Sequence, residues 1–160
     1  MMSKYSRLFA VSSLLYLLIG SLMGIVMASV PSWRPIIHFP HAHTMVIGWI
    51  SMMIFGLAYH VLPRFASSPM VPERAQCLHW WLANIAMIGM MLVPIFQNVF
   101  YTHGSIFNIL FFIFGLLQFL GILIFVKHML IILKFGPTHL LKAMPCCHSC
   151  SDQPNIKLNK

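Results

Sequence analysis

The stretch HFPHAHTMVIGWISMMIFGLAYHVLPRF, His38 to Phe65, packs three histidines into six residues and then runs apolar until it closes on His60, Pro63 and Arg64. Between His41 and Leu62 it carries no Asp, Glu, Lys or Arg. A run of this kind is long enough to cross a hydrocarbon core as helix, which takes roughly 20 predominantly apolar residues. The stretch is therefore a membrane span with histidines at both of its ends.

Working outward, the rest of the chain repeats that character. Hydrophobic residues make up 59% of the 160 and charged residues only 8%, against roughly a quarter charged in soluble proteins. Further apolar runs predict spans over 8–30, 77–96 and 105–132, beside the one over 41–62. Lipid offers no partner for an open backbone group, so each span must be helical, with the Pro- and Gly-bearing pieces between them as loops. The fold class expected is all-α: an integral-membrane four-helix domain over 1–136, followed by a polar tail over 137–160. The first run is too long for the roughly 7–15-residue core of a secretory signal, so it reads as a retained helix.

Charge orients the bundle, because Lys and Arg are held on the cytoplasmic side. With the N-terminus inside, Lys4, Arg7, Arg64, Arg74, Lys127, Lys134, Lys142, Lys157 and Lys160 share one side and Arg34 stands alone on the other. Both termini are expected to be cytoplasmic. The net charge of +8 follows from that bias and points to anionic membrane lipid as a partner, not to nucleic acid.

Glu73 and Asp152 are the only acidic residues. Paired-carboxylate hydrolysis, oxygen-ligand sites for calcium or magnesium, and a proton path built on intramembrane carboxylates all lack their residues. What remains is histidine chemistry and the sulfur of 13 methionines. His38, His41, His43 and His103 gather at the outer ends of the second and fourth spans, and His60, His79 and His128 at the inner ends. At about 100° per residue, His41 and His43 face opposite ways. His41 and His60 lie roughly 28 Å apart along one helix at about 1.5 Å per residue, so they cannot share one cofactor. His79, beside Trp80 and Trp81, reads as a residue of the headgroup level, where amphipathic rings collect.

From His41 the segment resembles the second transmembrane helix of subunit I of the haem-copper oxidase and nitric oxide reductase superfamily. The matching positions are His41 and Met45 of an H-x-x-x-M start, Phe55-Gly56-Leu57, and His60-Val61-Leu62-Pro63. The preceding WRPIIHFPH is similar to the approach in the cytochrome cbb-type branch. In that family the helix-two histidine near the outer surface ligates a low-spin haem, which the resemblance transfers to His41. Subunit I of the family is longer, and its copper site and catalytic tyrosine reside on helices that have no counterpart here. The sequence contains no His-His pair and no H-x-x-x-Y, so no oxygen reduction by this chain alone is expected.

The resemblance implies a haem b bound through His41 and a second axial ligand. His103 is the choice for that ligand by depth, with His41 of a second copy as competitor; Gly20 and Gly24 in GSLMG would suit close helix contact, within one chain or between two. A backbone carbonyl, a hydroxyl or a water must hold the second ring N–H of a ligating histidine, and Thr44 and Thr102 lie near enough in sequence to serve. Arg34 would pair with a haem propionate. His43 and His60 are the weaker cofactor candidates. Copper is the rival, on His41, His43 and Met45, since imidazole and thioether suit Cu(I). In the tail, Cys146, Cys147, His148 and Cys150 read first as a reduced, metal-free or palmitoylated cluster and second as a site for zinc or Cu(I).

The expected function is a b-type cytochrome-like subunit that moves electrons within a respiratory or redox complex of a bacterial or archaeal cytoplasmic membrane. Its partners would be the other subunits or a second copy. Two alternatives stand beside it, a haem-free accessory subunit of a membrane enzyme and a copper-handling membrane protein.

Overall fold

The computed structural model describes residues 2–99 and 105–134, which form helices and no strand. Helix α1 covers Lys4–Ser29. A single 3-10 turn, Pro31–Trp33, leads into the second span, which is built from α2 (Arg34–His43), a π-helical segment (Thr44–Ser51) and α3 (Met52–Phe65) without a break. Helices α4 (Glu73–Val99) and α5 (Ser105–Lys134) complete the set. Four helices are long and apolar enough to cross a membrane: α1, the whole of Pro31–Phe65, α4 and α5. Predicted residues 137–160 and His103 lie outside the described residues.

The packing inverts the pattern of a water-soluble bundle. On α1 the buried positions are Ser6, Phe9, Ser12, Ser13, Tyr16 and Gly20, three or four residues apart along one face. Val11, Leu14, Leu15, Leu18, Leu22 and Ile25 point outward. Lipid solvates leucine as well as a protein interior does, so nothing drives leucine inward; small residues go inside because they let helices approach and their hydroxyls find partners there. Trp80 Nε1 donates to Ser12 Oγ at 3.2 Å, and Tyr16 Oη donates to Asn84 Oδ1 at 3.1 Å. Asn84 in turn donates to the Trp80 carbonyl at 2.8 Å. These bonds fasten α4 to α1 at mid-span.

Two glycines of the second span make close approaches to α1. At Gly56 an added Cβ would stand 2.9 Å from the Ser6 carbonyl oxygen and 3.1 Å from Phe9 Cβ. At Gly48, inside the π segment, it would stand 2.8 Å from Tyr16 Cγ. The second span was expected as one regular helix opening at His41; helical backbone instead opens at Arg34 and widens after His43. Two features accompany the widening. Pro40 has no N–H to give to the turn before it. Hydroxyls also occupy carbonyls along the segment: Thr44 Oγ1 donates to Pro40 O at 2.8 Å and Ser51 Oγ to Val46 O at 2.9 Å.

At the other end of this span the chain stops cleanly. Ser67 N–H bonds Arg64 O at 3.3 Å and Ser68 N–H bonds Pro63 O at 2.9 Å, with Ser67 at φ 48°. This is the paired-bond helix stop that normally employs glycine at the left-handed position. Ser3 caps α1 by accepting from Ser6 N–H at 3.1 Å, and its hydroxyl donates to Gln76 Oε1 at 2.7 Å. Gln76 also donates to Val71 O at 2.9 Å. The N-terminus of α1, the 66–72 connection and the start of α4 are thereby tied together at one end of the bundle.

Helix α5 stands apart from the other spans. It packs mainly on α4, where the Phe114 ring seats directly on Gly89, and touches α3 lightly. Only 11% of its most apolar window is buried, whereas the other three spans bury 28% to 39%. Most of its surface therefore faces whatever surrounds the bundle.

Candidate functional site

His41 lies against α1. Its Nδ1 is 3.0 Å from the carbonyl oxygen of Gly20. A carbonyl only accepts, so Nδ1 carries the hydrogen and the Nε2 lone pair stays free of the ring's own proton. That is the tautomer a metal-ligating imidazole requires, with its second nitrogen held by an outer partner. Gly24 lies alongside, where an added Cβ would come 3.5 Å from His41 Cε1. At Gly20 an added Cβ would meet Met45 Sδ at 2.5 Å and Thr44 Cγ2 at 3.5 Å. The Gly20 and Gly24 face thus receives the His41, Thr44 and Met45 side of the second span of the same chain. Of the holders expected for the His41 N–H, a backbone carbonyl does the work, while the Thr44 hydroxyl donates to Pro40 O.

His43 turns away from α1. Its Nδ1 bonds the Phe39 carbonyl at 3.1 Å, and its ring lies 4.1 Å from the Phe39 ring and 6.4 Å from Phe111 of α5. Phe39 and Phe111 are 5.5 Å apart, which brings the first turns of α5 beside residues 39–43. His43, Ala42, Val46 and Ile47 line a hollow of about 230 Å³. Arg34 and His38 are exposed in α2, so His38 sits on helix and not in the expected approach loop. His41, His43 and Met45, the residues of the copper candidate, are directed to Gly20 O, Phe39 O and the Gly20 surface respectively. Among the described residues, no three His, Cys, Asp or Glu side chains converge as a metal site. The Cys146 to Cys150 set and Thr102 lie outside the described residues.

His60 belongs to the far end of the second span. Arg64 Nη1 lies against its ring and donates to its carbonyl at 3.1 Å. His60, Val61, Arg64 and Phe65 line a surface hollow of about 310 Å³. The bundle interior at this level is taken by the preceding residue, Tyr59.

The least expected histidine is His79. It is 0% exposed, where a place at the headgroup level was anticipated. Its ring is enclosed by Phe55 at 4.7 Å, Phe9 at 4.9 Å, Tyr59 at 5.8 Å and Phe125 at 5.9 Å, one or more from each of the other spans. Tyr59 Oη and His79 Nδ1 are 2.9 Å apart. The signal was present in the spacing: His79, Ala83, Ala86, Met87 and Met90 recur on one helical face, all buried. The adjacent tryptophans drew the reading toward the surface instead. They occupy other positions around the helix, Trp81 54% exposed and Trp80 bonded to Ser12.

The arrangement is thus a histidine with a fixed tautomer at one end of the bundle and a caged histidine at the other, on helices joined by polar bonds within the membrane. A family model described as Cytochrome C and Quinol oxidase polypeptide I matches residues 2–100, which takes in α1, the second span and α4. No curated protein and no solved structure matches. With the match running over most of the chain and four helices fit to span a bilayer, this multi-pass membrane protein belongs to the cytochrome c and quinol oxidase polypeptide I family.

Proposed function

We propose that the chain is a b-type cytochrome-like subunit that binds a low-spin haem at its His41 end and passes electrons within a membrane redox complex. The observation that carries this reading is the bond between His41 Nδ1 and Gly20 O, 3.0 Å, which leaves Nε2 as the donor atom for iron. The residues present fit the group: His41 supplies an oriented imidazole, and Arg34, exposed in the first turn of α2, is the cation available to a propionate. His103 is the proposed second ligand. Its support is the sequence position just ahead of Ser105 and the approach of early α5 to residues 39–43. A haem held by two imidazoles supplies reversible one-electron transfer and leaves no open iron position. The chain's own part is to fix the His41 tautomer, hold the ring at the α1 joint and present a counter-charge. We place the complex in a bacterial or archaeal cytoplasmic membrane, with further subunits or a second copy as partners.

The test is a reduced-minus-oxidised spectrum with pyridine haemochrome and metal analysis on purified protein. Sharp low-spin bands are expected, absent in His41→Ala and retained in His139→Ala. A normal spectrum in His41→Ala overturns the assignment. Protein with neither haem nor metal points to an accessory subunit, and stoichiometric copper without haem to copper handling.

A further inference from the structure

The joint between α4 and α5 holds buried polar atoms on two side chains that find no hydrogen-bond partner among the described residues. His79 Nε2 is buried and makes no hydrogen bond among the described residues, and both amide atoms of Gln118, 5% exposed, are in the same condition. Buried polar groups almost always find a partner, and where protein supplies none the usual one is an ordered water. The protonation of His79 follows from its other edge. His79 Nδ1 is the acceptor within reach of the Tyr59 hydroxyl, at 2.9 Å. The buried phenol has one hydrogen to place and no other acceptor among the described residues, so it donates, Nδ1 accepts and the imidazole proton sits on Nε2. Nε2–H is then a donor inside the membrane in need of an acceptor.

The surroundings of Nε2 suit a water. Gly121 of α5 faces it: an added Cβ there would stand 3.6 Å from Nε2 and 3.1 Å from Cδ2. Gln118 is one turn away on the same face of α5, and residues at this spacing are neighbours, with Cβ atoms about 5–6 Å apart. On the α4 side, Leu82 Cβ lies 3.7 Å from the Cβ added at Gly121. His128, two turns beyond Gly121, has its Nδ1 engaged by Ile124 O at 2.7 Å.

We infer that the α4–α5 joint is a binding site for an internal water shared by His79 Nε2–H and the Gln118 side-chain amide, in the space left by Gly121. It completes a hydrogen-bonded chain from Tyr59 on α3, through His79 on α4, to Gln118 on α5. The imidazole in its middle accepts on one edge and donates on the other, the arrangement a proton relay needs. The site is independent of the haem assignment, since none of its residues is at the His41 end.

The experiment is ¹H–¹⁵N spectroscopy of the full chain, ¹⁵N-labelled at histidine and glutamine, in lipid nanodiscs. The His79 Nε2–H signal is expected to show a cross-peak at the water frequency, with Nδ1 at an acceptor shift. Gly121→Ala should remove the cross-peak, and Gln118→Leu should shift Nε2–H while the Nδ1 signal stays in place. Circular dichroism confirms that both variants keep their helices; should Gly121→Ala lose them, Gln118→Leu decides. A wild-type Nε2–H with no water cross-peak overturns the inference, as does one that couples only to the Gln118 amide or is unmoved in Gln118→Leu.

Discussion

Gly56 and Gly115 are both glycines in membrane helices, yet they face opposite demands. An alanine at 56 must push against the Ser6 carbonyl and Phe9 Cβ, and backbone does not yield as a flexible side chain does. Gly56→Ala is expected to destabilise the bundle by about 1–3 kcal/mol, the usual cost of overpacking. At Gly115 nothing lies within 4 Å of an added Cβ. There alanine gains helix propensity, up to about 1 kcal/mol, at no steric cost. Thermal unfolding of the two variants in detergent should move in opposite directions; an unchanged or higher midpoint in Gly56→Ala would show that the helix approach there is not as close as described. The residues also mark what a sequence can disclose. His41 stood out as a candidate because its neighbours resemble a family motif. The Gly20 carbonyl that orients it did not, because a main-chain acceptor on another helix leaves no letter in the sequence.

At the level of elements, the α3 stop and the π segment carry the information that hydropathy misses. Ser67 holds φ 48° at the position where the stop prefers glycine. A side chain in the left-handed region costs roughly 1–2 kcal/mol, part of which glycine returns as chain entropy. Ser67→Gly should therefore stabilise the protein by about 1 kcal/mol, seen as a higher unfolding midpoint. Loss of stability would mean that the Ser67 side chain contributes something the stop itself does not require. The existence of the second span follows from its apolar run, but its opening at Arg34 does not, nor does the widened turn over Thr44–Ser51, where Tyr16 presses into Gly48 and hydroxyls bond carbonyls four and five residues back. Those are contacts of particular side chains. Neither a hydropathy window nor a helix-propensity sum contains them.

For the whole molecule, the excess of Lys and Arg predicts which end meets the cytoplasm. Ser32, beside the start of α2, and Met70, after α3, are exposed at opposite ends of the second span. In a cysteine-free background, Ser32→Cys is expected to react with an impermeant thiol reagent on intact cells, and Met70→Cys only after the membrane is opened. The reverse pattern would invert the orientation. The four-span plan was readable from composition because lipid imposes it, whereas the burial of His79 required knowing which faces meet. The peripheral seat of α5 bears on how the protein is made. The three spans matched by the family model are joined to one another: α1 to α4 by Trp80–Ser12, Tyr16–Asn84 and Ser3–Gln76, and the second span to α1 by His41–Gly20 and to α4 by Tyr59–His79. Helix α5 leans mostly on α4, through Phe114 on Gly89 and Gly121 on His79. During biogenesis, then, the first three helices can settle as a unit in the bilayer before the last arrives, and α5 docks onto a surface already in place.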